Sequence, residues 1–141
     1  MAPAGFPSDA FGESFPVSLA SVEAARLALA DYLAGFAVSD RARNRIEVVL
    51  EEVVSNVVRH GQGADRIGLR AACADGVLRL LCEDNGPAFD PLAAAEPAPY
   101  ASLAEARIGG QGIPLINRLT QSACYERSGP FNRLELTFAL T

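Results

Sequence analysis

Apolar residues recur at every third or fourth position in two segments of the first half of the chain, a spacing that predicts two amphipathic helices. The first helix is expected to begin near Ser21, a candidate N-cap, and to end at Gly35. The second is expected to begin at Ser39 or Asp40 and to end at His60. Its apolar positions follow the pattern i, i+3, i+4, i+7, i+8 and i+11: Ile46, Val49, Leu50, Val53, Val54 and Val57.

Alternating apolar and polar residues predict strands in other parts of the chain. Such an alternation over 15–19 predicts a first short strand. Two further runs, 66–74 and 77–83, are separated by Asp75-Gly76, a dipeptide that favours a tight hairpin turn. These two runs are therefore predicted to be neighbouring antiparallel strands.

The second half of the chain predicts a long connection, a short helix and a second hairpin. Residues 86–108 are rich in Ala and Pro and too long for a passive loop in a compact domain, so they are expected to form a functional lid. A helix is predicted at 113–119. Two closing strands are predicted at about 123–127 and 133–140, joined by a turn at 128–130.

This order of elements predicts an α+β fold, a two-layer sandwich in which helices pack on one face of a mostly antiparallel sheet. Residues 1–13 carry no clear period and are expected to form a loose tail, followed by one domain over 14–141. A chain of 141 residues suits a single domain. Its composition, 50% hydrophobic and 21% charged, is typical of a folded protein.

Charge and hydropathy narrow the classes of function. The net charge of -5, with scattered arginines, provides no basic face for a phosphodiester backbone, so direct nucleic-acid binding is not expected. No apolar stretch is long enough for a membrane span and no secretory pattern is present, so a cytoplasmic protein without membrane contact is expected. Cys73, Cys82 and Cys124 lie far apart in apolar segments, which predicts reduced core thiols.

A polar stripe follows the edge of the apolar face of the second predicted helix. Glu52, Asn56 and His60 are spaced by four residues and are therefore neighbours on the helix surface. Asparagine is a poor helix former in the middle of a helix, which indicates that this amide is used. The alternative is that Glu52 is a solvated acid, Asn56 a tolerated boundary residue and His60 a helix-end cation.

Two further motifs have chemistry suited to a nucleotide. Asp84 and Gly86 end an apolar strand, where a carboxylate can accept a hydrogen bond from an exocyclic amine and a glycine lets a base approach the backbone. Gly110 and Gly112 precede a predicted helix, where backbone N–H groups and the helix dipole favour phosphate. The simpler interpretations are a strand-ending turn and a flexible hinge.

The order of these motifs is more specific than any one of them. Glu-x-x-x-Asn on a helix, Asp-x-Gly after a strand, a long lid and Gly-x-Gly opening a helix resemble the GHKL ATP-binding family. That family is shared by DNA gyrase, heat-shock chaperones, histidine kinases and mismatch-repair ATPases. Within it, residues 15–140 are most similar to the small bacterial anti-sigma factor serine kinases, which implies a Bergerat-type ATP-binding fold.

The resemblance implies ATP and Mg²⁺ as cofactors and a role for each matched residue. The general base would be Glu52, the magnesium ligand Asn56, the adenine contacts Asp84 and Gly86, and the phosphate-binding residues Gly110 and Gly112. A single amide oxygen is sufficient because Mg²⁺ takes most of its ligands from phosphates and water.

Three positions depart from the pattern of the family, and the first is Ala88, which stands in place of the usual later glycine of the adenine-recognition motif. Asn132 lies near where many members carry a threonine behind the adenine. Ile108 stands where serine kinases of this group tend to carry an arginine, two residues before Gly-x-Gly, and Arg107 lies one place earlier. Nucleotide binding is therefore better supported by the resemblance than catalysis.

The first functional hypothesis is an ATP-binding regulator that phosphorylates a serine on an antagonist protein and controls a sigma factor. Relatives commonly form dimers, so a homodimer is also implied. A second hypothesis is a nucleotide-binding interaction module without kinase activity, and a detached histidine-kinase-type catalytic domain is a further alternative. A third interpretation treats the glycines and Asp84 as ordinary turns of an interaction domain that binds no nucleotide.

Overall fold

The computed structural model describes residues 6–8, 10–93 and 112–141, with the backbone alone for 112–114. These residues form five strands and three helices. In chain order they are β1 (Phe11–Pro16), α1 (Ala20–Leu33), α2 (Asp40–His60), β2 (Arg66–Ala74), β3 (Val77–Asp84), α3 (Gly112–Leu119), β4 (Ser122–Ser128) and β5 (Phe131–Ala139).

The five strands form one open antiparallel sheet in the order β1-β2-β3-β5-β4. Alternate residues of the central strands, such as Leu80 and Leu136, are fully buried in one core with apolar residues of α1 and α2, such as Leu29 and Val49. The helices therefore cover one face of the sheet. This confirms the predicted two-layer α+β sandwich.

The second helix agrees with its sequence pattern at both ends. Ser39 is the N-cap, and its Oγ accepts a hydrogen bond from the Ala42 amide at 3.0 Å. The helix ends at His60, and the amide of Gly61 donates to the Val57 carbonyl. This well-defined start and end fix the position of the polar stripe relative to the sheet.

The first helix begins two residues earlier than the N-cap candidate implied. Leu19 is at the N-cap position and makes no side-chain cap, whereas the predicted cap, Ser21, is buried inside the first turn. The Ser21 hydroxyl donates to the Pro16 carbonyl instead. Ser21 therefore connects the start of α1 to the end of β1.

The first strand differs from its predicted position. It covers 11–16, four residues earlier than the alternation over 15–19 implied, and its last pair is Pro16 with Arg66. After Pro16 the chain turns, and Leu19 is 75% exposed. Since the strand includes 11–13, it overlaps the predicted tail, and the division of the chain into tail and domain stays a prediction.

The two hairpins agree with their turn residues. Asp75 and Gly76 have φ values of 54° and 76°, the left-handed conformation that a two-residue turn needs at both central positions. Gly129 has a φ of 58° in the turn between β4 and β5. In the described part of the chain, no helix is long and apolar enough to cross a membrane.

Candidate functional site

Three polar residues meet at one end of the sheet. Asp84 ends β3 and is the direct cross-strand partner of Asn132 on β5, which is in turn paired with Arg127 on β4. Because β5 lies between β3 and β4, residues distant in sequence become neighbours here. The C-terminal half of α2 lies over this end, because Asn56 shares a cavity with Asp84 and Asn132.

That cavity, called the site hollow below, encloses about 360 Å³ of empty space, part of it open to solvent. Its walls include Asn56, Val57, Asp84, Phe89, Tyr125 and Asn132. Apolar walls with a few convergent polar groups are typical of small-molecule sites.

Asn56 and Glu52 share a cation in the structure. Asn56 is 7% exposed, and its Oδ1 accepts a hydrogen bond from the Arg59 guanidinium at 2.6 Å. The same guanidinium nitrogen lies 3.5 Å from Glu52 Oε1. Glu52 is not among the residues that line the site hollow and lies one helical turn from Asn56.

The side chain of Asn56 fits a magnesium ion by its chemistry. Its amide oxygen is a hard ligand, and it already accepts a hydrogen bond from a positively charged group, the Arg59 guanidinium. Across the described residues, no group of three or more His, Cys, Asp or Glu could hold a metal. A metal here would therefore take its remaining ligands from water or phosphate.

The Asp84 carboxylate has one saturated and one available oxygen. Its Oδ1 accepts hydrogen bonds from the Gly86 amide at 2.9 Å and from Asn132 Nδ2 at 3.0 Å. Within the part of the chain that the structure describes, Oδ2 has no hydrogen-bond partner. A carboxylate oxygen on the wall of a cavity is an acceptor for an N–H group of a ligand.

Gly86 is needed for a different contact from the one expected. A β-carbon at this position would lie 3.1 Å from Gly61 Cα and 3.3 Å from Ala64 Cβ. Gly86 therefore permits close packing between the loop that follows β3 and the loop that follows α2. Its predicted contact with adenine stays a prediction.

Two side-chain contacts hold the loop after β3. The His60 ring stacks on Phe89, with centroids 4.5 Å apart and an interplanar angle of 19°. Asn85 Oδ1 accepts from the Asp65 amide at 2.8 Å, and its Nδ2 donates to the Asp65 carboxylate at 3.2 Å. The wall formed by Phe89 is thus attached to the C-terminal end of α2.

The phosphate-binding motif lies mostly outside the described residues. Gly112 is the first residue of α3, and Ile116 of the same helix is fully buried in the core. Gly110, Arg107, Ile108 and most of the predicted lid lie outside the described residues. The predicted phosphate contacts therefore stay predictions.

The structure adds two site residues that the sequence motifs did not identify. Arg59 is three residues after Asn56 and seven after Glu52, so helical spacing alone could have placed it beside both. Tyr125 lines the site hollow from β4, and its hydroxyl donates to Asn132 Oδ1. The hairpin of β4 and β5 was predicted, but the position of Tyr125 beside Asp84 also depends on the pairing of β5 with β3, which the sequence pattern does not reveal.

The cysteines agree with the prediction only in part. Cys82 is fully buried in the core, and burial, aided by the negative charge of Asp84, raises the pKa of its thiol to about 12. Burial also raises the pKa of the half-buried Cys73. Cys124 is exposed, so the expectation that it is a core thiol is wrong; it lies on an edge strand of the sheet.

Residues 15–138 match the family described as the histidine kinase-like ATPase domain. Together with the fold and the position of Asn56 and Asp84 on one cavity, this match shows the class of protein: the chain belongs to the histidine kinase-like ATPase family, and membership of that family implies ATP binding.

Among individual relatives, the chain is similar to the serine/threonine-protein kinase BtrW of Bordetella bronchiseptica. The two are 32% identical over 104 residues, which cover 70% of this chain and 72% of BtrW. The structure is also similar to the RsbU and RsbW domains of Rv1364c from Mycobacterium tuberculosis, with a TM-score of 0.66 and 19% identity over 95% of this chain. The match spans 33% of the chain in that solved structure.

The catalytic domain of histidine kinase ThkA has the same fold, with a TM-score of 0.53 and 12% identity. The match covers 93% of this chain and 97% of that domain. At these identities the two solved structures show the fold alone. The family match and the similarity to BtrW confirm the predicted histidine kinase-like (GHKL) family. The two solved structures agree with its fold, and membership of the anti-sigma factor kinase subgroup is a proposal.

Proposed function

We propose that this chain binds ATP with Mg²⁺ in the site hollow, transfers the γ-phosphate to a serine of an antagonist protein and thereby controls a sigma factor. The observation that carries the proposal is that Asn56 and Asp84, which belong to two separate sequence motifs, line the same cavity. The similarity to a serine/threonine-protein kinase supports the transfer step.

Each polar group of the site has a task in this proposal. Asp84 Oδ2 accepts a hydrogen bond from the exocyclic amine of adenine. Asn56 Oδ1, which accepts from Arg59 in the structure, would hold the magnesium ion instead, and the positive charge of Arg59 would then attract phosphate oxygens. Bound Mg²⁺ would supply neutralisation of phosphate charge during transfer. Gly110 and Gly112 hold the phosphates by their amides.

Glu52 is proposed as the general base. It accepts the proton of the attacking serine hydroxyl, a contribution of about 10²–10⁴ in rate. Glu52→Gln is therefore expected to lower phosphotransfer by about that factor and to change ATP affinity by less than about twofold. The measurement is transfer from radiolabelled ATP to anti-sigma factor antagonist proteins of the same organism. The matched control is Glu51→Gln, because Glu51 is exposed on the same helix.

Calorimetric titration with ATP, with and without Mg²⁺, tests the binding half of the proposal. The unmodified chain is expected to bind ATP more tightly with the metal, and Asn56→Ala is expected to lose most of this gain. If the affinity of Asn56→Ala for ATP depends on Mg²⁺ as strongly as that of the unmodified chain, Asn56 is not a ligand of the metal. No detectable ATP binding by the unmodified chain would refute the proposal as a whole.

One observation favours a second function, a nucleotide-binding module that regulates its partner by contact alone. Glu52 does not line the site hollow, and its carboxylate faces Arg59. In that case ATP binding persists but the unmodified chain transfers no phosphate to any antagonist-type protein. Transfer that is present and lost in Glu52→Gln would reject this second function.

A further inference from the structure

The amide of Asn132 is the centre of a buried hydrogen-bond network. The residue is 6% exposed at the end of β5 nearest to Asp84. Its Oδ1 accepts from the Phe89 amide at 3.1 Å, and its Nδ2 donates to the Pro87 carbonyl at 2.8 Å. The Phe89 amide can only donate and the Pro87 carbonyl can only accept, so these two contacts determine which end of the Asn132 side chain is the oxygen and which is the nitrogen.

Both hydrogens of this amide group are used within the chain. One is donated to the Pro87 carbonyl and the other to Asp84 Oδ1 at 3.0 Å. The oxygen also accepts from the Tyr125 hydroxyl at 2.5 Å and from the Arg127 guanidinium at 3.2 Å. Asn132 therefore has no spare donor to offer to a ligand, although it lines the site hollow.

The network determines what Asp84 presents to the hollow. Asn132 and the Gly86 amide together saturate Oδ1, so the carboxylate is held by that oxygen. Arg127 also donates to the Gly86 carbonyl at 2.7 Å, which attaches the same loop to β4. The second oxygen, Oδ2, remains an acceptor without a partner in the described part of the chain.

We propose that Asn132 is a positioning residue that fixes the Asp84 carboxylate and thereby makes the site selective for a base with an exocyclic amine. This inference rests on the proposed function, in which the site hollow takes the base of ATP. An amine donates to the fixed Oδ2, whereas a carbonyl at the same position of the base would oppose one acceptor with another. Without Asn132 only the Gly86 amide holds the carboxylate, which is then less restrained in orientation, and the preference for an amine falls.

The experiment compares the affinities of ATP, inosine triphosphate and purine riboside 5′-triphosphate by calorimetry. Inosine triphosphate has a carbonyl in place of the amine, and purine riboside has only hydrogen there. The unmodified chain is expected to prefer ATP by about tenfold or more over both, because a hydrogen bond to a charged group is lost. Asn132→Ala is expected to reduce this preference to about twofold or less. Asn44→Ala, the same change at an exposed position of α2, is the matched control and should keep the full preference.

A second variant keeps the inference testable if Asn132→Ala does not fold. The double variant Tyr125→Phe with Arg127→Met retains Asn132 but removes two donors to its oxygen. It is expected to reduce the preference for ATP by about threefold or more. The ratio of affinities is the decisive measurement, because a residue that only stabilises the fold would lower the melting temperature without changing the ratio.

The outcomes separate this inference from the function on which it rests. If a folded Asn132→Ala or the double variant keeps the full preference for ATP, the inference is wrong and ATP binding stands. If the unmodified chain binds all three nucleotides equally, the inference is also wrong and the site still takes a nucleotide. If the unmodified chain binds none of them, the proposed function fails and the inference fails with it.

Discussion

Replacing Gly86 by alanine is expected to destabilise the fold, although such a change in unstrained backbone usually stabilises a protein. The new β-carbon would lie 3.0 Å from Asp84 Oδ1, 3.1 Å from Gly61 Cα and 3.3 Å from Ala64 Cβ. Ordinary carbon–carbon contacts are about 3.5–4.0 Å, so the two loops must separate by some tenths of an ångström. Since the φ of Gly86 lies outside the left-handed region, the penalty comes from these contacts alone.

Gly68 provides the matched control. It lies in β2, and a β-carbon there would find its nearest atom, the Glu83 carbonyl oxygen, at 3.8 Å, which is an ordinary contact. Overpacking costs about 1–3 kcal/mol, whereas an unstrained replacement of glycine by alanine gains about 0.4–1 kcal/mol. Gly86→Ala and Gly68→Ala are therefore expected to change the free energy of unfolding in opposite directions, with a difference of about 1.5–4 kcal/mol.

Urea unfolding followed by far-UV circular dichroism measures this difference. In thermal unfolding, a change of 1 kcal/mol in the free energy of unfolding shifts the melting temperature by about 4 °C for a domain of this size. The reasoning is refuted if Gly86→Ala is as stable as Gly68→Ala with an unchanged dependence on urea.

Two further predictions concern Arg59 and Cys82. Arg59→Met should increase the factor by which Mg²⁺ raises ATP affinity, because Asn56 Oδ1 loses its competing cation and metal-free ATP loses a nearby positive charge. Calorimetric titration with and without Mg²⁺ measures this factor, and the control is Arg41→Met on the exposed start of α2. A factor in Arg59→Met equal to that of the unmodified chain would contradict the prediction. For Cys82, the folded state keeps the thiol proton up to a pKa of about 12, whereas the unfolded chain loses it near the ordinary value of 9.0. The free energy of unfolding should therefore fall as the pH rises above about 9. Urea unfolding between about pH 7 and pH 10 should show a smaller fall in Cys82→Val than in the unmodified chain, and equal falls in the two proteins would contradict this prediction.

Elements fixed by neighbouring residues could be predicted from the sequence. The helix α2 follows from its apolar spacing and the Ser39 cap, and the first hairpin follows from Asp75-Gly76. The first strand was misplaced because its end depends on the pairing of Pro16 with Arg66, fifty residues away in sequence. An alternation of side chains cannot show where such pairing stops.

The site divides in the same way. Helical spacing alone places Asn56 beside Glu52, so this part of the site could be predicted from the sequence. The same spacing could have placed Arg59 beside Asn56. The contact between Asn132 and Asp84 required the pairing of β3 with β5, which no local pattern contains. For the same reason Asn132 could be noted as a departure from the family but could not be connected to the carboxylate it holds.

The order of the sheet also affects how readily this chain can change in length. Asp84 and Asn132 are paired in the sheet, yet the connection after β3, α3 and β4 all lie between them in sequence. The entropy of closing such a loop depends on the logarithm of its length and costs only about 0.6 kcal/mol for each doubling. Changes of length between Phe89 and Gly110 should therefore have little effect on the stability of the sheet, since the strands that join the two halves of the site are paired independently of that length.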